Sequence, residues 1–244
     1  MTFTEQLWYA WPWMGLGMAC IMIILLFRTD MLRSSNTIPR WRDPIWIAWC
    51  AMPAYLLHQF EEYACHITNG QYDIVTSVLN NKAMPFDLTN LTMAHFPYVN
   101  IALAWIAVPI TVCVGERLHK PVVAMAPIGF IIANGMLHFM GTMTGKMPVT
   151  DNPGFFTGTF VFLPLGLLMI LACIRGDFTN GRGLAVAIAS GVIGHLILAG
   201  AYGVAPMGSA AVLFFDTLAV FAPMLLALLG CKMLKTESND LGRW

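Results

Sequence analysis

The chain has 244 residues, of which 58% are hydrophobic and only 11% are charged. Soluble proteins are about 25% charged, so this composition, together with a mean hydropathy of +0.68, excludes a soluble globular domain. The formal net charge is zero, and we expect no nucleic-acid partner. The composition instead predicts an integral membrane protein whose partners are membrane lipids or membrane-soluble small molecules.

Seven apolar stretches are long enough to cross a membrane, since a spanning helix needs about 20 mostly apolar residues. They predict an all-α bundle of seven transmembrane helices that forms a single domain over residues 1–244. In chain order the predicted spans are residues 9–27, 45–65, 96–115, 122–143, 155–174, 184–204 and 209–231.

Basic residues are distributed unequally between the two sets of connecting loops. One set carries eleven lysines and arginines, and the other carries only Lys82 and Lys146. Because short loops rich in basic residues stay in the cytoplasm, we expect the N-terminus outside the cell membrane and the C-terminus in the cytoplasm. The longest loop, residues 67–94, is then external, and we interpret it as a lid over the bundle.

The second span carries the stretch HQFEEY, which places His58, Glu61 and Glu62 within one arc of roughly 100° on a helix. Ionisable residues inside a membrane are costly, and they usually face the bundle interior at functional sites. The structural alternative is a hydrogen-bonded cluster that holds helices together. Two adjacent carboxylates make a purely structural cluster energetically unfavourable, because like charges disfavour each other's ionised form. His66, one turn further, and His95 are candidates for supporting roles.

Polar residues recur on three later spans. The fourth span has Asn134 and His138, which lie four residues apart and therefore on one helix face. The sixth span has His195 and the seventh has Asp216. With a rise of about 1.5 Å per residue, all of these residues lie at the depth of the HQFEEY motif, in the outer half of the membrane. This common depth predicts that four helices contribute to one site.

The pattern H-x-x-E-E formed by His58, Glu61 and Glu62, with an asparagine–histidine pair on a later span, resembles the HXXEE-motif family of small bacterial integral membrane proteins. The resemblance implies that the motif is the functional site and that the protein lies in a bacterial inner membrane. It implies no particular reaction, because the family has no assigned function.

Three histidines with one or two carboxylates suit zinc or non-haem iron. The first hypothesis is therefore a metal-dependent membrane enzyme that acts on a lipid-like or isoprenoid substrate. A metal-free isomerase or cyclase that uses Glu61 or Glu62 for acid–base chemistry is the second hypothesis. The third is a non-enzymatic carrier or sensor for metal, protons or lipid. The predicted metal ligands are His58, Glu62, His138 and His195, and the predicted catalytic residues are Glu61, Glu62, Asn134 and Asp216.

Overall fold

The chain forms an all-helical bundle, as a computed structural model shows for residues 3–65, 88, 91, 95–175 and 178–234. Nearly all of the predicted external loop 67–94 lies outside these residues. Short 3₁₀ turns lie in three of the connections. In chain order the helices are α1 (Phe3–Arg28), α2 (Pro44–Trp49), α3 (Ala51–Tyr63), α4 (His95–Arg117), α5 (Pro121–Met143), α6 (Phe155–Ile174), α7 (Gly181–Gly203) and α8 (Ser209–Met233).

Six of the described helices, α1 and α4–α8, are long and apolar enough to cross a membrane. The predicted second span is the one that differs, because it is divided into the shorter helices α2 and α3. The six long apolar helices support the prediction of a membrane protein. The count of seven spans and the orientation of the bundle stay predictions.

Pro53 explains why the second span is divided. A proline has no N–H to donate to the carbonyl four residues earlier, and its ring crowds that carbonyl, which here belongs to Trp49 at the end of α2. Cys50 keeps right-handed helical dihedral angles and donates its N–H to the carbonyl of Trp46, 3.2 Å away. The chain therefore passes from α2 into α3 through a local break rather than through a loop.

Helix α5 occupies the centre of the bundle, where it packs against α4, α6, α7 and α8 and also meets α2 and α3. Helix α7 lies between α5 and α8, and α1 packs on α3. The first half of α5 is buried, and the residues of its second half are mostly half-buried or exposed. Helix α5 therefore leads from the core to the side chains that form the candidate site.

Helices α5 and α7 cross at Gly129 and Gly191. A Cβ atom on Gly191 would overlap the backbone of Gly129 and Phe130, and one on Gly129 would overlap the carbonyl group of Ala187. Small residues such as these glycines allow the backbones of two membrane helices to come into close contact.

We expect Gly191→Leu to destabilise the bundle by about 1–3 kcal/mol or more, which is the cost of overpacking a close contact. Gly17→Leu is the matched control, because a Cβ atom at Gly17 on α1 meets nothing within 4 Å. Thermal unfolding in detergent, followed by tryptophan fluorescence, measures the difference. Equal unfolding temperatures for the two variants would contradict the predicted crossing.

The loop charges give a topology that labelling can test. In a background without the six native cysteines, Ser35→Cys should be protected from a membrane-impermeant maleimide added to intact cells. Lys146→Cys, in the connection between α5 and α6, should be labelled. The reason is that the basic α1–α2 connection is expected in the cytoplasm, and the α5–α6 connection is expected on the opposite side of the membrane. Labelling of both positions from the same side would show that the predicted orientation is wrong.

Candidate metal centre

Helix α3 directs the residues of the HQFEEY stretch into the protein. His58 is fully buried, and Glu61 and Glu62 are 3% and 7% exposed. The intervening Gln59 is also fully buried and donates from its amide to the carbonyl of Asn100 at 2.8 Å. The histidine and both carboxylates therefore point away from the lipid, as their arc on the helix predicts.

Three side chains from α3 and α5 converge on one point. The Oε1 atom of Glu62 lies 3.3 Å from Nε2 of His58 and 3.4 Å from Nε2 of His138. One potential ligand atom from each of the three residues lies within 4.8 Å of the other two. His58 and Glu62 are four residues apart on α3, so helix geometry alone brings them together, whereas His138 arrives by the packing of α5.

A hydroxyl group from α6 fixes the orientation of His58. The Thr157 hydroxyl donates to Oε2 of Glu61 at 2.5 Å, so it accepts from Nδ1–H of His58, which is 2.8 Å away. The proton on Nδ1 leaves Nε2 of the neutral imidazole with a free lone pair. That lone pair faces Glu62, and Nε2 of His58 has no hydrogen-bond partner among the described residues.

Asn152 orients His138 in the same way. The side-chain amide nitrogen of Asn152 donates to the carbonyl of His138 at 2.7 Å and to the hydroxyl of Thr142 at 2.8 Å. Its oxygen, 2.8 Å from Nδ1 of His138, therefore accepts the Nδ1–H of the ring. In their neutral form, both histidines thus present an unprotonated Nε2 to the same oxygen of Glu62.

Glu61 has a different position from Glu62, although the two are adjacent in sequence. Its carboxylate accepts the backbone N–H of Phe156 at 3.1 Å, the backbone N–H of Thr157 at 2.7 Å and the Thr157 hydroxyl. These donors lie in the first turn of α6, where backbone N–H groups lack partners within the helix. Glu61 therefore joins α6 to α3 and holds Thr157 against His58.

Gly154 closes the space beside the three side chains. Its φ of +83° is in the left-handed region, which favours glycine. A Cβ atom at this position would overlap Cε1 of His58 and lie 3.1 Å from both Cγ of Glu62 and Cε1 of His138. Glycine is therefore required here both by the backbone and by the space that the cluster occupies.

Three of the four predicted metal ligands, His58, Glu62 and His138, form this group. The fourth, His195, lies against Phe130 with the two ring centres 4.9 Å apart, and it is not part of the group. Its role as a ligand stays a prediction.

Asn134, Asp216 and His95 are not part of the group. Asn134 is half-buried on α5, and its side-chain oxygen has no partner among the described residues. Asp216 pairs with His95, their Oδ2 and Nδ1 atoms 2.7 Å apart. His66 lies outside the residues that the structure describes.

Sequence reasoning missed the residues that orient the cluster. Asn152, Gly154 and Thr157 lie where the chain enters α6, and none of them is ionisable. The only sequence signal is the stretch DNPGFFTG, whose Asn-Pro-Gly run is typical of a turn. A turn before a span is common, and only the folded structure shows that this one meets the HQFEEY motif.

Residues 49–169 match the model of a family described as protein of unknown function with HXXEE motif. The matched segment includes all the residues that form and orient the cluster, from His58 to Thr157. No curated protein and no solved structure matches the chain. The resemblance expected from the sequence is thereby confirmed, and the segment that carries the candidate metal centre belongs to the HXXEE-motif family.

Proposed function

We propose that the protein is an integral-membrane metalloenzyme in which His58, Glu62 and His138 bind one divalent cation, zinc or iron. The observation that supports this most strongly is the pair of oriented imidazoles. Each has its Nδ1–H held by an acceptor and directs its Nε2 at the same carboxylate oxygen. Histidine ligands in metal sites characteristically donate their other ring N–H to such a partner.

The spacing of the ligand atoms also fits a metal ion. Zinc–nitrogen and zinc–oxygen bonds of about 2.0–2.1 Å in a tetrahedron place neighbouring ligands roughly 3.3 Å apart. The two distances from Glu62 to the histidines are 3.3 and 3.4 Å. Two histidines and one carboxylate are also a known ligand set of catalytic zinc, which keeps a further position open. An ion bound there would act as a Lewis acid or as an activator of water.

A lipid-like or isoprenoid substrate is supported by the apolar surroundings of the cluster. Met136, Leu137 and Met140, which flank His138 on α5, are exposed on the outer surface of the bundle. On the other side, the Tyr55 ring lies 6.0 Å from the His58 ring and lines a narrow, partly open apolar pocket together with Phe130. A membrane-soluble molecule can approach the cluster through such surroundings without an aqueous channel.

Elemental analysis of detergent-purified protein tests the metal centre. The wild-type protein should contain about one equivalent of zinc or iron, and His58→Ala and His138→Ala should each lose it. His119→Ala is the control, since His119 lies in the connection between α4 and α5, away from the cluster. A wild-type protein purified without chelators that contains no metal would overturn the proposal. The metal-free acid–base hypothesis would then be the next to test.

Thr157 offers a test of how the cluster is oriented. We expect Thr157→Val to weaken zinc binding about 10- to 100-fold, which is the usual loss when the partner of a metal-bound histidine is removed. Thr157→Ser keeps the hydroxyl and should bind zinc nearly as well as the wild type. Competition with a zinc-chelating dye measures both affinities. Equal weakening in both variants would contradict this role of the hydroxyl, because Thr157→Ser retains it.

A further inference from the structure

A second buried polar pair lies between α4 and α8. Nδ1 of His95 and Oδ2 of Asp216 are 2.7 Å apart, and the two residues are only 5% and 1% exposed. The carboxylate can only accept when it is ionised, so the Nδ1 atom of the imidazole carries the proton in this bond. The Nε2 atom of the neutral ring is then a free acceptor.

Each member of this pair retains an unused polar atom. Among the described residues, neither Nε2 of His95 nor Oδ1 of Asp216 has a hydrogen-bond partner. A buried polar atom without a partner costs about 1–3 kcal/mol. Since both unused atoms are acceptors, the group that satisfies them must be a hydrogen-bond donor.

The surroundings of the pair are aromatic and apolar. The His95 ring lies 5.0 Å from the Phe96 ring and 5.5 Å from the Tyr202 ring. Phe96 belongs to a small apolar cluster that also contains Val212, one helical turn before Asp216. A donor group that reaches His95 therefore fits best when it is carried by an otherwise apolar molecule.

A polar contact at the outer surface lies next to the buried pair. The Tyr98 hydroxyl is 2.9 Å from Oγ1 of Thr217, which itself donates to the carbonyl of Leu213 at 2.8 Å. Tyr98 and Thr217 are exposed, and neighbouring Phe214 is 64% exposed on the same surface. Tyr98 lies about one turn after His95, and Thr217 directly follows Asp216, so each member of the buried pair has an exposed hydroxyl group near it on its own helix.

We propose that the contact between α4 and α8 binds the hydroxyl group of a membrane-soluble alcohol. His95 accepts the hydroxyl hydrogen through Nε2, and Asp216 holds the ring in the tautomer that makes Nε2 an acceptor. The apolar part of the alcohol lies along the outer surface near Phe214. This alcohol site shares no ligand atom with the His58–Glu62–His138 cluster, so it can exist whether or not the cluster binds metal.

Nitrogen NMR of protein labelled with ¹⁵N-histidine tests the alcohol site, because the chain has only six histidines. The protein is studied in lipid nanodiscs, and His95 is assigned from the loss of its signals in His95→Gln. We expect the wild-type His95 to show the Nδ1–H tautomer. Adding 1-dodecanol should shift its Nε2 resonance in a saturable way, whereas dodecane should not shift it.

Asp216→Asn should weaken dodecanol binding at least about tenfold, which corresponds to about 1.4 kcal/mol. It should also convert His95 to the Nε2–H tautomer, because the amide can donate to Nδ1. Asp30→Asn is the matched control, since Asp30 is half-exposed, pairs with Arg33 and Arg40, and lies far from Asp216 in the sequence. Unchanged His58 and His138 signals show that each variant is folded.

Two results would overturn the alcohol site. The first is a wild-type His95 signal that does not respond to dodecanol, which would mean that water alone satisfies the pair. The second is an equal response to dodecanol and dodecane, which would show that the hydroxyl group is not recognised. Metal content is measured separately on the same samples, so the metal centre and the alcohol site can fail independently.

Discussion

Glu62→Gln should abolish metal binding while the helical bundle stays folded. One oxygen of Glu62 faces both Nε2 atoms, and the amide keeps the shape of the side chain but loses its charge. Removal of a partner of a metal ligand already costs about 10- to 100-fold in affinity, and we expect removal of the ligand itself to cost more than that. Competition with a zinc-chelating dye measures the affinity, and thermal unfolding measures the fold.

Glu116→Gln is the matched control for this prediction. Glu116 is exposed near the end of α4 and lies outside the cluster, so its replacement should leave zinc affinity unchanged. If Glu62→Gln retains wild-type affinity, Glu62 is not a ligand, and the carboxylate has a structural role between the two histidines.

The double variant shows whether α3 and α5 contribute to one site. Groups that act as a unit give losses that do not add. Glu62→Gln combined with His138→Ala should therefore bind zinc hardly more weakly than either single variant. Losses that simply add would show that His138 and Glu62 act separately, and the cluster would then be a structural contact between helices.

Gly154→Ala should also eliminate the metal site, although glycine contributes no ligand. The added methyl group would occupy the space beside His58, Glu62 and His138, so the side chains would have to move apart. Because metal ligation tolerates errors of only a few tenths of an ångström, we expect a loss of zinc affinity of more than about 100-fold. Metal content after purification and the dye competition both measure it.

Gly145→Ala separates crowding from backbone strain. Gly145 has a φ of +72°, close to the +83° of Gly154, but a Cβ atom there would meet nothing within 4 Å. Both variants carry the cost of a left-handed alanine, about 1–2 kcal/mol, and only Gly154→Ala fills the site. Similar zinc affinities in the two variants would show that the space beside Gly154 is not needed for binding.

The sequence by itself determined the class of the protein and identified the three side chains of the candidate metal centre, but not the residues that orient them. Runs of apolar residues specify membrane-spanning helices because their length must match the bilayer. The predicted span 155–174, for example, coincides with α6 at Phe155–Ile174. The four-residue spacing of His58 and Glu62 likewise fixes their contact, since this spacing places two side chains on the same helix face.

The tertiary structure decided everything that depends on how one helix is rotated against another. It brings Thr157 to His58 across 99 positions of the chain, and it pairs Asp216 with His95 across 121. It also gives the adjacent Glu61 and Glu62 different partners, because successive residues on a helix differ by about 100° in direction. Helix periodicity predicts which residues lie on the same face of a helix. Which other helix packs against that face depends on helix tilt, on helix rotation and on the close contacts that residues such as Gly154 allow.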